Sequence, residues 1–419
     1  MAETYSIAVV GGGPAGLTAA LAVAATGASV TLFGPPFPAT GQTSDNRTAA
    51  LFAGSIELLR NLEAWDALRP VSAPISAIRI VDDTGGLLRA PEVAFTAAEV
   101  GRETFGWNVP NAALVASLAA RLAGRVRFQE TRGIAQVTIG AETVQLTSAE
   151  GETFDASLVI GADGRNSICR AAAGIDTKTW PYAQAAVTTT FAHARAHRDV
   201  STEFHRPAGP LTVVPMPGSA SSLVWVETPA EAQRLAGLDD AAFREALERR
   251  LQGLLGSIGE IRPRAVFPLS GLAADTFGRN RIALLGEAAH VIPPIGAQGL
   301  NLGLRDGAVL ADCIADALSA GRDPGLSATL DAYTALRRPD VTSRVTAIDV
   351  LNRSLISDLV PVHLARGLGL VALKTVGPLR RRAIREGLQP SPEIATLLSP
   401  GGLTRLTARA MPGTRTTAA

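Results

Sequence analysis

Three glycines near the N-terminus, Gly11, Gly13 and Gly16, have the spacing of a turn that binds a dinucleotide. They follow the aliphatic run 7–10, which predicts a strand buried on both faces, and Pro14 suits the first turn of a helix. In such a turn the first glycine permits a tight bend, the second lets the backbone approach a pyrophosphate, and the third allows close packing of helix on strand. The pattern predicts a dinucleotide site, and a glycine-rich turn without a ligand is the alternative.

A second segment with chemical potential begins with the apolar strand predicted over 282–285 and continues into Gly286 and Glu287. A loop rich in Pro and Gly follows, and a helix is predicted over 302–318. A carboxylate, a set of free backbone N–H groups and the positive end of a helix suit a flat ring that accepts electrons, because reduction leaves negative charge on that ring.

A third segment follows the strand predicted over 157–160. Asp163 and Gly164 predict a sharp turn, and Ser167 and Arg170 lie one helical turn apart. The pattern Asp-Gly-x-x-Ser-x-x-Arg after an apolar strand resembles the middle motif of the single-component FAD aromatic hydroxylases. In that family the motif contacts the FAD diphosphate region and is implicated in pyridine-nucleotide binding. The alternative is a capped helix with a surface arginine.

The resemblance is strongest to the ubiquinone-biosynthesis hydroxylases of the UbiH/UbiF type and covers about residues 5–355. It is carried by the run 296–306, by Gly-Pro-Leu at 209–211, by Leu-Val-Trp at 223–225 and by Phe-Pro-Leu at 267–269. It implies that FAD, reduced by NAD(P)H or by a separate reductase, reacts with O2 to form a flavin hydroperoxide. That species would hydroxylate the aromatic ring of a polyprenylated phenol. No base that activates the phenol is predicted.

The resemblance also implies which residues contact FAD. Arg47 matches an arginine that reaches the pyrophosphate region, although a surface arginine is the alternative. Asn111 matches a polar contact, although by pattern it is an ordinary N-cap. Glu287 stands where the family has Asp, and Pro294 is expected against the flavin. The predicted cofactor-binding residues are Gly11, Gly13, Pro14, Ala15, Gly16, Arg47, Asn111, Asp163, Gly164, Gly286, Glu287, Pro294, Gly296, Gly299, Leu300 and Asn301.

Two positions limit what the resemblance implies, one for binding of the adenosine ribose and one for catalysis. The second predicted strand, 28–33, should end near an acidic residue for the adenosine ribose, but Gly34-Pro35-Pro36 follows Phe33. His290 invites a catalytic role, but a lone histidine in such a turn more often packs or hydrogen-bonds there, and this interpretation is favoured.

The composition excludes several classes of protein. Net charge is +1 and charged residues make up 18%, which gives no signal for nucleic acid. The two cysteines are too few for a disulfide framework or a metal cluster and fit a reducing compartment. We predict no signal peptide and no clean membrane span, hence a cytoplasmic protein, with peripheral contact on the inner face of the membrane left open.

The element pattern predicts an α/β fold: a discontinuous Rossmann-like FAD-binding domain, a smaller β-sheet substrate domain and C-terminal helices. The FAD-binding domain is predicted over 1–70, 96–178 and 275–335. The substrate domain is predicted over 71–95 and 179–274, and the helical region over 336–419. Trp107, Phe191, Trp225 and Phe267 are candidates for an aromatic-binding pocket, with ordinary core burial as the alternative for each.

The segment 359–388 combines apolar residues with several arginines. It is predicted either to dock on a membrane surface or a partner enzyme, or to pack on the FAD-binding domain with a solvated basic end. Two other functions stay open for the chain as a whole. One is an FAD hydroxylase of a soluble aromatic compound, which needs an anion-binding arginine in a closed pocket. The other is a non-catalytic FAD-binding redox sensor, which needs no substrate cavity.

Overall fold

The computed structural model describes residues 5–37, 45–85, 91–357, 360–388 and 395–411, with no side chains described at 360–366. The strands are β1 (Ser6–Val10), β2 (Ser29–Gly34), β3 (Thr48–Phe52), β4 (Ala73–Ile75), β5 (Ala77–Asp82), β6 (Val93–Thr96), β7 (Gly106–Pro110), β8 (Arg127–Glu130), β9 (Ile134–Ile139), β10 (Val144–Ser148), β11 (Thr153–Ala156), β12 (Leu158–Gly161), β13 (Thr177–His193), β14 (Val200–His205), β15 (Leu211–Met216), β16 (Ala220–Glu227), β17 (Ile258–Ile261), β18 (Ala265–Ala274), β19 (Gly278–Arg279), β20 (Ile282–Leu284) and β21 (His290–Val291). The helices are α1 (Pro14–Ala24), α2 (Ala53–Asn61), α3 (Trp65–Leu68), α4 (Asn111–Ala119), α5 (Ile168–Ala172), α6 (Pro229–Ala236), α7 (Asp240–Leu251), α8 (Gln298–Ser319), α9 (Ser327–Ile356), α10 (Val360–Thr375), α11 (Gly377–Leu388) and α12 (Gly402–Ala410).

A six-stranded sheet carries the N-terminal turn. Its order is β19-β20-β12-β1-β2-β8, and the five strands from β20 to β8 run parallel. Residues 7–9 of β1 and 158–160 of β12 are almost completely buried, as expected of central parallel strands covered on both faces. Helix α1 packs against α8, so the first helix and the helix after the last parallel strand form one layer. The predicted α/β class is confirmed.

A nine-stranded, mostly antiparallel sheet forms the second layer within the described residues, and β5 and β6 extend its edge. Helices α6 and α7 cover one face of it, where Phe191, Trp225 and Phe243 are at most 2% exposed. Phe191 and Trp225 are therefore core residues under these helices. This agrees with the alternative of ordinary core burial and not with a place in an aromatic-binding pocket. The opposite face contacts the small three-stranded sheet β3-β7-β4, because Ser222 on it accepts a hydrogen bond from Thr48 of β3 at 2.9 Å.

Helix α9, 30 residues long, connects the two layers. Near its start the Tyr333 hydroxyl donates to the carbonyl of Leu284 at 2.9 Å, in the six-stranded sheet. Near its end Asp349 accepts from the Tyr182 hydroxyl at 2.5 Å, at the base of β13. The helix thus contacts both sheets where the chain passes from β20 of the six-stranded sheet to β21, which pairs with β18 of the nine-stranded sheet.

Several predicted boundaries were wrong in detail. The helix predicted to begin at 302 begins at Gln298, because the unusual left-handed backbone of Ala297 (φ 54°) starts it earlier. The charged helix predicted over 238–255 covers only Asp240–Leu251, because Gln252 adopts a left-handed conformation (φ 51°). The segment 359–388 divides into two helices at Val376, and Leu359 lies outside the described residues.

Both cysteines should resist thiol reagents in the folded protein. Cys169 and Cys313 are free and buried, and burial raises the pKa of each thiol, that of Cys313 to about 12. The thiolate is the reactive form, so almost none is present at pH 8. We expect no reaction with a chromogenic disulfide such as DTNB in native protein and two equivalents of reaction after denaturation in guanidinium. Rapid labelling of native protein would contradict this burial.

Candidate functional site

The three segments singled out in the sequence follow three adjacent parallel strands. Val10 of β1 pairs with Gly161 of β12, and Gly161 pairs with Leu284 of β20. The backbone continues this register past the strand ends, since Ala162 donates to Val10 at 2.8 Å and Leu285 donates to Gly161 at 3.0 Å. The carboxyl ends of parallel strands form the ligand-binding edge of such a sheet. The glycine-rich turn, the middle motif and the loop after β20 therefore meet at one edge.

The glycines of the N-terminal turn differ in what surrounds them. A Cβ on Gly11 (φ 122°) would lie 2.2 Å from the carbonyl oxygen of Ala162, and one on Gly16 would lie 1.9 Å from that of Gly11. A Cβ on Gly13 would meet nothing within 4 Å. Gly11 and Gly16 are thus required by the fold itself, whereas Gly13 borders open space at the N-terminus of α1. That open space is where the fingerprint predicts the pyrophosphate.

Residues 286–297, here called the flavin loop after the ring that the sequence predicts it to contact, leave β20 through a left-handed Gly286 (φ 57°). A Cβ on Gly286 would approach that of Ala15 to 3.4 Å, and a Cβ on Gly303 would lie 3.1 Å from the Cα of Gly286. Small residues from α1, the loop and α8 therefore allow these three backbones to approach closely. The predicted residues Gly286 and Ala15 lie together at this crossing.

A buried carboxylate beneath the flavin loop holds it in place. Asp306 on α8 is fully buried, and its Oδ2 accepts from the backbone N–H of Gly286 at 3.0 Å and from His290 Nε2 at 2.7 Å. Its Oδ1 accepts from Arg337 Nε at 2.7 Å, on α9. Burial alone would raise the pKa of Asp306, but His290, Arg337 and the Gly286 N–H hold it well below its ordinary value. His290 is thus hydrogen-bonded at the turn, as the favoured interpretation predicted.

Arginines surround a second carboxylate on the far side of Arg337. Asp340 accepts from Arg337 at 2.9 Å, from Arg305 at 2.7 Å and from Arg344 at 2.9 Å. Arg344 also donates to the side chain of Gln298 at 2.8 Å. The network runs from the start of α8 to the middle of α9, and both oxygens of each carboxylate are paired, whereas Arg337 Nη2 and His290 Nδ1 are buried without a partner among the described residues.

The first turn of α8 points unpaired N–H groups at the site. Ala297 is its N-cap and provides no side-chain hydrogen bond, so the N–H groups of Gly299 and Leu300 have no partner within the helix. The side chain of Asn301 is fully used: its oxygen accepts from Phe52 N and Ser55, and its nitrogen donates to Ala50 and Ala297. Only the backbone of Asn301 is thus available to a ligand.

Arg47 lies at the edge of the site with three partners. It forms a two-pronged ion pair with Asp45, both contacts at 2.8 Å, and stacks over Phe267 at 5.2 Å. The hydrogen bonds to Asp45 chiefly raise the pKa of Arg47, and the charge of the exposed Glu287 in the flavin loop adds to this effect. Arg47 therefore lies between the flavin loop and the nine-stranded sheet.

Asn111 is not an N-cap. Helix α4 begins at Asn111 itself, after Pro110, and the backbone N–H of Asn111 donates to the carbonyl of Arg47 at 3.0 Å. The side chain of Asn111 lies beside Asp45. Burial would raise the pKa of Asp45, but hydrogen bonds from Arg47 and from Asn111 lower it. The side-chain oxygen of Asn111 is buried and has no hydrogen-bond partner in the described part of the chain. A buried, unpaired oxygen is costly unless a ligand or water satisfies it.

The middle motif supports the flavin loop. Ser167 caps α5 by accepting from Arg170 N at 2.9 Å, and the Arg170 guanidinium donates to the carbonyl of Ala288 at 2.8 Å. The surface-arginine alternative for this motif is therefore wrong, because Arg170 ties the motif to the loop. Asp163 receives the N–H of Cys169 on one oxygen, while its other oxygen is buried without a partner among the described residues. Gly164 is left-handed (φ 81°) and open to its surroundings.

The sheet face opposite the flavin loop is neutral. Side chains of a strand alternate between the two faces of the sheet, and those that do not pack under α6 and α7 lie on this face. On the central strands these residues are Phe267, Ala186, Thr188, Val224, Val226, Thr212 and Val214. Phe267 is 37% exposed, and Thr188, Val224 and Thr212 are half-buried. A charge lies at the β14 edge of this face, where Glu203 is paired with His205 at 2.8 Å and accepts from Thr212 at 3.3 Å. The described surface is thus suited to an uncharged ring.

The residues that hold the loop from below were not predicted from the sequence, namely Asp306, Arg337 and Asp340. A signal was present, because an adjacent Arg305 and Asp306 interrupt an otherwise apolar helix pattern. A charged pair on a buried helix requires partners. The partner on α9 could not be identified from sequence, since the pairing depends on how two helices cross.

A dinucleotide fits the donors and acceptors at this edge. Open space lies over Gly13, two buried side-chain oxygens on Asn111 and Asp163 lack partners in the described chain, and α8 presents free N–H groups. These groups would contact the ribose hydroxyls, the pyrophosphate and the ring of one extended cofactor.

Comparison with known proteins identifies relatives over most of the chain. The model of the FAD binding domain family matches residues 4–347. The ubiquinone hydroxylase UbiL of Rhodospirillum rubrum is 38% identical over 92% of this chain and 90% of its own length. The 3-demethoxyubiquinol 3-hydroxylase of Escherichia coli is 31% identical over 92% of this chain and 99% of its own.

Solved structures share the fold at lower identity. HpxO of Klebsiella pneumoniae, crystallised with FAD and uric acid, has a TM-score of 0.72 at 18% identity and covers 91% of this chain and 96% of its own. The p-nitrophenol 4-monooxygenase PnpA of Pseudomonas putida has a TM-score of 0.72 at 18% identity, with 93% and 98% covered. At this identity the likeness concerns the fold alone.

Proposed function

The chain belongs to the FAD binding domain family and, within it, to the ubiquinone hydroxylases, and we propose that it hydroxylates the aromatic ring of a polyprenylated phenol in ubiquinone biosynthesis. It is an FAD-dependent monooxygenase. One observation supports this substrate class. The flavin loop faces a sheet surface of largely uncharged side chains, and Phe267 and Arg47 lie between the two.

The cofactor site follows from the shared sheet edge. We assign the pyrophosphate to the space over Gly13 and the N-terminus of α1, and the isoalloxazine ring to the flavin loop and the first turn of α8. Asn111 and Asp163 offer their unpaired oxygens to hydroxyl groups of the cofactor. Pro294, Gly296 and the exposed Glu287 present the open side of the loop to the ring.

The residues of this chain orient and shelter the reaction. When bound and reduced, FAD supplies the activation of O2. The positive end of α8 stabilises negative charge at the ring, and Asp306 holds Gly286 and His290 so that the loop keeps its shape. The neutral sheet face excludes water from the second reactant and positions its ring.

A soluble aromatic acid is the less favoured substrate. Binding of a carboxylate in a sheltered site requires an available cation. Arg47 is the arginine beside the site, and both prongs of its guanidinium already bind Asp45 at 2.8 Å. The face from Thr212 to Phe267 adds no charge. The arrangement therefore favours an uncharged phenol.

A single-turnover experiment tests the proposal and bypasses the electron donor, which the sequence leaves as NAD(P)H or a separate reductase. FAD-loaded protein is reduced with one equivalent of dithionite and mixed with ¹⁸O2 and either a short-chain prenylphenol or 4-hydroxybenzoate. We expect one ¹⁸O atom in the prenylphenol and none in the acid, measured by mass spectrometry. Labelling of the acid alone would indicate the soluble-substrate function, and labelling of neither would indicate a redox sensor.

The substrate proposed here partitions into lipid, so the protein must meet it at a surface. No helix among the described residues combines the length and the apolar character needed to cross a bilayer. We propose that contact with the membrane, or with another enzyme of the pathway, takes place through the segment 360–388. The protein would then act in the cytoplasm, at the inner face of the membrane.

A further inference from the structure

We propose that α10 and α11, here called the C-terminal hairpin, dock on the surface of a bilayer that contains anionic phospholipid. The inference rests on the proposed function in one respect, because it names the surface at which that function takes place. It is carried by the exposed side chains of the hairpin and by the way its inner side is attached.

The inner side of the hairpin is firmly packed. Leu370 and Ile384 are 7% and 4% exposed, in a cluster with Phe95 and Phe105. Arg380 is paired with Glu99 and stacks over the ring of Phe95 at 4.6 Å. The hairpin is therefore a fixed part of the fold, and its outer side is a defined surface.

The outer side concentrates exposed apolar residues. Leu368 is 69% exposed, Val371 40%, Val376 45% and Leu379 44%. Within the described residues, nine large apolar side chains are at least 40% exposed, and four of them fall in these twelve positions. Single exposed apolar residues are ordinary, but a contiguous group marks a contact surface.

Cations surround this apolar group. Lys374, Arg381, Arg382 and Arg385 are exposed, and Glu386 is the one acidic residue between 367 and 388. Arg382 is paired with Glu386, whereas Arg381 and Arg385 make no ion pair with any residue that the structure describes. Aliphatic side chains flanked by unpaired cations match the boundary between acyl chains and anionic headgroups.

The same surface is a poor match for a protein partner. Protein interfaces are enriched in aromatic residues and Met at their centre. The described outer side chains of the hairpin include neither. The charge balance and the aliphatic composition thus favour a lipid surface.

The hairpin also contacts the start of α8, next to the flavin loop. Gln298, the first residue of α8, donates to the carbonyl of Gly387 in the last turn of α11 at 2.9 Å. Arg344 donates to the carbonyl of Glu386 at 3.0 Å. A bilayer in contact with the outer side would therefore lie on the part of the molecule that carries the first turn of α8.

Flotation with vesicles tests the docking surface. The FAD-loaded full chain is mixed with vesicles of phosphatidylcholine alone or with one-third phosphatidylglycerol, at low and at high salt. We expect flotation with the anionic vesicles and its loss at high salt. Replacing Arg381 and Arg385 by Gln should weaken binding about thirtyfold. Replacing Leu368 and Val371 by Ser should weaken it about tenfold or more.

A matched control comes from the opposite end of α8. Arg322 and Leu326 are exposed there, and the variant Arg322→Gln/Leu326→Ser should float like the unmodified protein. Failure of the protein to float with anionic vesicles, or unchanged flotation of both hairpin variants, would overturn the docking proposal. Single-turnover labelling of a short, water-soluble prenylphenol should be unchanged in these variants. A failure of docking is thereby distinguished from a failure of the hydroxylase proposal.

Discussion

Replacing Asp306 by Asn should lower the free energy of unfolding by about 3–5 kcal/mol, because it leaves Asp340 to compensate Arg305, Arg337 and Arg344 without a second carboxylate. The fully buried Asp306 also accepts hydrogen bonds from Gly286 and His290, so the flavin loop loses its anchor with the charge. The measurement is urea unfolding of the FAD-free protein at pH 7, followed by circular dichroism.

The pH dependence has a defined sign. The folded-state pKa of Asp306 lies below its ordinary value, so its contribution to stability is present above about pH 4 and is lost as the pH falls further. The gap between the unmodified protein and the variant should therefore be largest near neutral pH and narrow in acid. A gap that widens below pH 4 would contradict the assignment.

Two variants control this result. Asp316→Asn changes a half-exposed carboxylate on the same helix, paired with Arg409, and should cost less than about 1 kcal/mol. The double variant Asp306→Asn/Arg337→Met also removes one of the three arginine charges that then share Asp340, and it should recover part of the loss. Equal stabilities of Asp306→Asn and Asp316→Asn would refute the anchoring role.

Replacing Gly13 by Val should weaken FAD binding by between about tenfold and a hundredfold while leaving the fold intact. A Cβ here meets nothing within 4 Å, and the backbone (φ −75°, ψ 173°) is one that valine readily adopts. The branched side chain would instead fill the space proposed for the pyrophosphate, at a cost of about 1–3 kcal/mol in binding. Titration of apo-protein with FAD, followed by flavin fluorescence, measures the effect.

Substitutions at two further glycines serve as controls for this experiment. Gly369→Ala, also at a position with open space, should leave FAD affinity unchanged. Gly16→Ala places a Cβ 1.9 Å from the carbonyl oxygen of Gly11 and should reduce stability even without FAD. If Gly13→Val bound FAD as tightly as the unmodified protein, the pyrophosphate would have to lie elsewhere.

Local sequence patterns predicted the parts of this site that depend on the neighbouring residues along the chain. The turn after β1, the turn after β12 and the loop after β20 each follow an aliphatic strand, and such strands align in register in a parallel sheet. The backbone requirements of Gly11 and Gly16 were therefore evident from spacing alone. The roles of the predicted residues towards FAD stay predictions, to be tested as described.

Contacts between distant segments could not be predicted in this way. The pairing of Asp306 with Arg337 depends on the crossing of α8 and α9, and Arg170 reaches Ala288 across 118 positions. The start of α8 at Gln298 depends on one left-handed alanine, which no propensity favours. Asn111 was misassigned as a cap because Pro110, which precedes it, takes that position.

The order of strands in the parallel sheet has a consequence for synthesis of the chain. β1 leaves the ribosome first, but its neighbour β12 is completed only at residue 161, and β20, which follows it in the sheet, at residue 284. Asn301 must then emerge before Ala50 and Phe52 gain their hydrogen-bond partner. A nascent chain shorter than about three hundred of the 419 residues thus lacks one wall of the nucleotide cleft, and loading with the prosthetic group must wait until that length has been made.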